Sequence, residues 1–250
     1  MTLLDNPYFQ NIASDLLTVL LLVAVGGFWY LLSRRRRLLL FFGCSRTRKI
    51  TLYLSNLEIV RGGALDPEGR PRGYVGSSTP GYELPFIAAA YRLFLSPVPG
   101  LSSQPGRWKY IALRDVHLSV SPAPVSTLDI NSNATIITVG SIGYNTVSRV
   151  VEEHFGTSTR LDPAGRLTCS DGTVYAGRGY ALVEKCYNSQ RKQWAFYVAG
   201  AARNETTGAF EYLVQNWARL RRDFGDSAFS IIIRIIDNDP SRCEVVRWWS

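Results

Sequence analysis

Thr135-Ile-Ile-Thr-Val-Gly-Ser-Ile-Gly-Tyr-Asn-Thr-Val-Ser148 reads as a strand, a glycine turn and the opening of a helix. Thr135 to Val139 is a β-branched run that suits a pleated surface. Gly140 to Asn145 is a turn. Thr146 to Phe155 has Val147, Val150 and Val151 on one helical face and ends before Gly156. Phe196-Tyr-Val-Ala-Gly-Ala-Ala-Arg-Asn-Glu-Thr-Thr-Gly208 has the same grammar, with a loop over Gly200–Thr207 and a helix expected over Gly208–Phe224. Phe210, Leu213, Val214, Trp217 and Leu220 mark that helix's apolar stripe, and Gly225 ends it. Ala228 to Ile236 is almost wholly apolar, which suggests a strand buried on both faces.

Other segments fit around these two units. Ile50 to Val60 is an early β-rich segment, and Arg61 to Gly81 is a Gly/Pro/Ser-rich loop. Pro85 to Leu95 has helical spacing, with Pro85 suited to a first turn. Tyr110 to Val120 holds one or two short strands. Arg166 to Ala176 centres on Asp171-Gly172, a hairpin signal. Tyr180–Tyr187 and Gln193–Val198 follow as strands. Strands alternating with helices predict an α/β class with a Rossmann-like domain carrying an inserted β-hairpin region.

Upstream, Leu16 to Leu32 is an uncharged apolar run, followed by Arg34-Arg35-Arg36-Arg37. That run is about long enough to cross a bilayer core as one helix. Met1 to Asp15 has Asp5 and Asp15 and no Lys or Arg, so the positive flank puts the N-terminus outside. A signal peptide has its charges in the opposite order. The expected division is 1–33 for a short external N-terminus and transmembrane helix, 34–49 for a basic juxtamembrane linker, and 50–250 for a cytosolic domain at the cell's inner (plasma) membrane. Leu38 to Phe42 is too short to span, and is expected to lie at the interface or dock on the domain.

Charge follows this division. Of the net +8, Arg34 to Arg37, Arg46, Arg48 and Lys49 supply most, so the basic excess suits anionic lipid and not nucleic acid. Cys44, Cys169, Cys186 and Cys243 form no CxxC pair, and with only His117 and His154 no metal motif results. Cys44 is a candidate for lipidation by its juxtamembrane position. No cofactor is implied.

The two glycine loops are the candidate ligand site. Open helix starts present backbone N–H groups and the positive end of the dipole, and glycine allows close approach of a phosphate. The candidate ligand residues are Gly140, Ser141, Gly143, Asn145, Thr146, Gly200, Arg203, Asn204, Thr206 and Thr207. Asn and Thr are also ordinary cap residues, and Gly is an ordinary turn residue. Neither loop has the Lys-Ser/Thr of a P-loop, and Val139 stands where a hydrolase elbow needs Gly. Glu83 and Glu205 are the candidate catalytic carboxylates, though a Glu at a helix start also simply suits the dipole, and Glu152-Glu153-His154 reads as solvated surface.

Ile50–Val60 with Gly62-Gly63, and Ala199-Gly200 through Glu205-Thr206-Thr207 to Glu211, loosely resemble the nucleotide-binding domains of the lysine-decarboxylase-like (LOG/Smf/DprA) superfamily. That family uses a Gly-Gly-x-Gly-Thr-x-x-Glu loop. Here Gly is absent before Thr206 and Glu211 is displaced. A single anchor on such a domain resembles the effectors of prokaryotic nucleotide-signal immunity, that is, antiviral defence. The resemblance implies a nucleotide-like ligand and no particular catalytic residue. The expectation is a membrane-tethered sensor or effector that binds a phosphate-bearing, nucleotide-derived ligand and acts as a homo-oligomer. A membrane-bound hydrolase or transferase on a nucleotide or glycoside, and a protein-binding scaffold, are the alternatives.

Overall fold

A seven-stranded mixed sheet organises the chain. In the computed structural model the described residues are 7–44, 49–54, 80–94, 117–122, 134–142, 145–162 and 165–250. The sheet strands are β1 (Lys49–Leu54), β2 (His117–Pro122), β3 (Thr135–Val139), β7 (Tyr180–Asn188), β8 (Gln193–Gly200), β9 (Phe229–Ile235) and β10 (Cys243–Trp249). Their order is β10-β9-β7-β8-β3-β1-β2. β2, β1, β3 and β8 run parallel, while β7, β9 and β10 join by antiparallel pairs. Five strands, β9 included, therefore point the same way. A second, three-stranded sheet holds β4 (Thr159–Leu161), β5 (Leu167–Cys169) and β6 (Val174–Tyr175). β5 and β6 are the expected Asp171-Gly172 hairpin, with Gly172 at φ 84 in the turn.

Alternation along β7 sets the layers. Ala181 and Val183 point to one face, and Leu182 and Cys186 to the other. The first face is covered by α2 (Pro80–Phe94), α4 (Arg203–Phe224) and the end of α1 (Pro7–Phe41). The second is covered by α3 (Thr146–His154) and the small sheet.

α1 is one continuous helix of 35 residues. Its Ser14–Phe41 portion is long and apolar enough to cross a membrane, with mean hydropathy 2.2 in its best window and none of that window buried. The basic stretch expected to open a linker is helical through Arg37. The helix then enters the domain core: Leu38, Leu39, Phe41, Phe42 and Cys44 are buried. Phe41 stacks on Phe229 at 5.9 Å and tilts against Phe196 and Trp217, and Phe42 meets Phe94 and Phe196. Gly43 (φ 65) turns the chain against the Trp194 ring, where a Cβ would collide. Thr135 Oγ1 donates to Phe42 O at 2.9 Å. Docking is thus the outcome for Leu38–Phe42. It also buries the Cys44 thiol and pushes its pKa up to about 12, which makes it a core group and not an exposed lipidation site.

Several boundaries moved. α4 begins at Arg203, five residues before the expected Gly208, so most of the second loop is helix. α2 begins at Pro80 and carries Pro85 inside it. Its backbone there forgoes one helical bond, to Gly81. Residues 55–60 of the early β-rich segment and 110–116 of the later one lie outside the described residues.

Candidate functional site

β3 and β8 are parallel neighbours, with Val139 opposite Val198. The two glycine loops therefore leave the same sheet edge side by side. The edge also carries the ends of β1 and β9 and the start of β7. It is opposite the edge at which α1 enters, because Phe41 lies on the Phe229–Phe196 row near the strand starts.

The first loop is tightly bonded. Gly140 (φ 109) donates its N–H to Val198 O at 2.9 Å. Its carbonyl accepts from Ser148 Oγ at 2.7 Å, and Ser148 Oγ also meets Thr138 Oγ1 at 2.8 Å. Asn145 is the N-cap of α3: Oδ1 accepts from Val147 N and Ser148 N. Its Nδ2 donates to Tyr53 O at 3.2 Å and Val139 O at 3.0 Å. Asn145 is buried and its side chain is committed to holding β1, β3 and α3 together. Ser141 and Thr146 are half-buried. Gly143 lies outside the described residues.

The second loop is only Gly200, Ala201 and Ala202. A Cβ on Gly200 would lie 2.5 Å from Glu205 Cβ and 2.7 Å from Thr206 N, so glycine lets the strand end abut the first turn of α4. Thr206 Oγ1 donates back to Ala202 O at 3.0 Å, and Asn204 Nδ2 to Asn238 O at 3.1 Å. Thr207 is half-buried and Arg203 exposed. Ala202 is the N-cap and supplies no side-chain acceptor to the first amides of α4. Of the two helix starts, α4 therefore keeps more of the character of an anion site. The structure brings Ser141, Thr146, Arg203 and Thr207 to one edge with solvent access. It uses Gly140, Asn145, Gly200, Asn204 and Thr206 to build that edge.

Glu205 is buried in the first turn of α4, where Oε1 accepts from Gly179 N at 2.9 Å and Oε2 has no hydrogen-bond partner among the described residues. It ties the start of β7 to α4. Glu83 is in the first turn of α2, and its side chain lies outside the described residues. Two further segments share the edge and were not singled out from sequence. They are Gly177-Arg178-Gly179, with both glycines at positive φ, and the Ile236–Arg242 turn, with Asp237 and Asn238 in the left-handed region. An antiparallel β7 must start where β8 ends, so the Gly-Arg-Gly before it was the available signal. Gly165 of the β4–β5 turn packs on Ala201, so the small sheet overhangs the second loop.

Under the small sheet lie two neighbouring acids, Glu184 buried and Glu152 half-buried. Glu184 Oε1 accepts from Ser158 N at 2.6 Å and Ser158 Oγ at 2.7 Å, and burial lifts its pKa to about 7. Glu152 Oε1 accepts from Tyr197 OH at 2.9 Å and Leu161 N at 3.1 Å, and burial raises its pKa too. The expectation of Glu152 as solvated surface is corrected: it faces inward at the end of α3, and Glu153 faces out. A groove of about 140 Å³ lies elsewhere, between α4 and β10, under Trp248 and Val245.

No family model and no curated protein matches the chain.

Proposed function

We propose that this chain is a membrane-tethered sensor or effector whose α/β domain binds a phosphate-bearing, nucleotide-like ligand at the β3/β8 edge. The observation that carries this reading is the convergence of two glycine loops from parallel neighbours, one leading into an α4 start without a side-chain cap. Strand carboxyl ends are where open α/β sheets hold ligands. Arg203 and the first amides of α4 contact the phosphate, and Ser141 and Thr146 approach from the other loop. The loose likeness of the second loop to LOG-type nucleotide loops supports the same ligand class. α1 spans the plasma membrane with its N-terminus outside, and Arg34–Arg37 meet anionic headgroups. A lone span has no lumen, so the signal passes through association of several copies.

Calorimetry on the full chain in lipid nanodiscs, with a panel of cyclic and ADP-ribose-type nucleotides, tests this. Saturable binding by one of them is expected. Arg203→Ala should weaken it about tenfold to a hundredfold, the loss of one charge-assisted hydrogen bond. Silence from the whole panel with folded protein contradicts the reading. Enzymatic turnover is the second reading, favoured by the orphan Oε2 of Glu205 beside the same helix start. Glu205→Gln would then abolish product formation while ligand still binds.

A further inference from the structure

The strand edge that receives α1 carries exposed aromatic and basic side chains. From Phe41 a run of aromatic rings crosses the first face: Phe41 on Phe229 at 5.9 Å, Phe229 on Phe224 at 4.8 Å, and Phe224 against Trp248 at 5.4 Å. Trp248 ends that run and is 62% exposed. At the end of β7, Tyr187 is 40% exposed and rests on Trp194, the ring that Gly43 abuts. Cations gather between them. Arg191 and Lys192 are in the β7–β8 turn, Lys49 starts β1, and Arg219, Arg221 and Arg222 are in the last turns of α4. Among the described residues, the exposed acids there are Asp223 and Asp226, which pair with those α4 arginines, and Glu153 at the end of α3.

Distance makes this edge a neighbour of the bilayer. α1 is unbroken, so Leu32 and Leu38 are separated by about 9 Å along its axis at 1.5 Å per residue. The headgroup layer is itself about 5–8 Å deep on each side. Exposed Trp and Tyr with interspersed Arg and Lys are the composition of a headgroup-level surface.

We propose that the edge of the sheet receiving α1 is a second membrane contact, seated on anionic lipid. It rests on the reading that α1 spans the bilayer. Trp248 and Tyr187 sit among headgroups, and Arg191, Lys192 and Arg222 lie against lipid phosphate and carboxylate. The domain is thereby held upright, with the β3/β8 edge facing away from the membrane.

The test uses the full chain in nanodiscs of phosphatidylcholine, with and without equimolar phosphatidylserine. Nitroxide labels are placed at Gln190→Cys in the β7–β8 turn, or at Asn238→Cys on the far edge, each in a Cys243→Ser background. With phosphatidylserine, the label at 190 should be several-fold less accessible to a water-soluble nickel chelate than the label at 238. Phosphatidylcholine alone, high salt, or Trp248→Ser with Arg191→Ser and Lys192→Ser should remove most of that difference. Equal accessibility at both sites overturns the proposal. So does shielding at 190 that arises only in discs holding two chains, which would make the edge an interface between copies. Extraction by alkaline carbonate reports separately on the anchor: a chain that resists extraction but shows equal accessibility keeps its span and loses this contact.

Discussion

Asn145 was legible as an N-cap from sequence, but not as the knot that ties three elements. Its oxygen caps α3 while its amide serves the carbonyls of Tyr53 and Val139. Asn145→Asp keeps the cap and removes both donors from buried acceptors. It should cost about 1–3 kcal/mol in denaturant unfolding, since each of the two hydrogen bonds lost contributes about 0.5–1.5 kcal/mol. Unchanged stability would return Asn145 to the pool of ligand contacts. Glu184 carries a pH signature. Native Glu184 holds its proton up to about pH 7, while the unfolded chain releases it near 4.5. Between those values the native state binds more protons, so stability is fully present below pH 4.5 and falls as pH rises through 7. The span is about 3 kcal/mol at 1.36 kcal/mol per pKa unit. Thermal unfolding between pH 5 and 8 should show that decline in the wild type, and Glu184→Gln should flatten it. A decline of equal size in the variant would assign it to other groups, Glu152 first.

Element type was readable where periodicity was strong. β3 was expected over Thr135–Val139 and lies there, because five consecutive β-branched residues leave few alternatives. α3 was placed by its valine face and the Gly156 stop, and the Asp171-Gly172 hairpin by its turn residues. The start of α4 was not, because Arg203-Asn-Glu-Thr-Thr looks like a polar loop. It is helical because Gly200 lets the strand end meet the first turn and Glu205 is buried there on Gly179. Those contacts come from distant parts of the chain, which local propensity does not contain. The end of α1 was ambiguous for the same reason: Leu38–Phe42 suits a lipid interface and a protein core equally. The core holds it. Phe41→Ala should therefore destabilise the domain by about 3–5 kcal/mol, the cost of emptying a fully buried phenyl site. A change below 1 kcal/mol in the full chain would mean that the ring is not part of the fold. Gly43→Ala should also destabilise, because its Cβ has no room beside Trp194 and its φ of 65 disfavours a side chain.

Taken together, the N-terminal helix and the α/β domain form one folded body with two different ends. One end receives α1, whose apolar stretch is long enough to cross a membrane, and the opposite sheet edge carries the two glycine loops. Composition made an apolar helix of spanning length and the α/β class readable in the sequence. The opposition of the two ends was not readable, since it depends on β8 lying beside β3 and on where Phe41 docks. α1 runs without a break into the core, so no linker separates the apolar helix from the domain. The integrity of that body is tested by comparing residues 34–250 with residues 49–250, each in detergent, by near-ultraviolet circular dichroism and thermal unfolding. The shorter chain lacks Leu38, Leu39, Phe41 and Phe42, four buried side chains worth about 2–5 kcal/mol each, against a whole-domain stability of about 5–15 kcal/mol. The longer chain should unfold cooperatively with ordered aromatic signals, and the shorter should have neither. A shorter chain with the same aromatic spectrum and the same melting temperature would contradict the account.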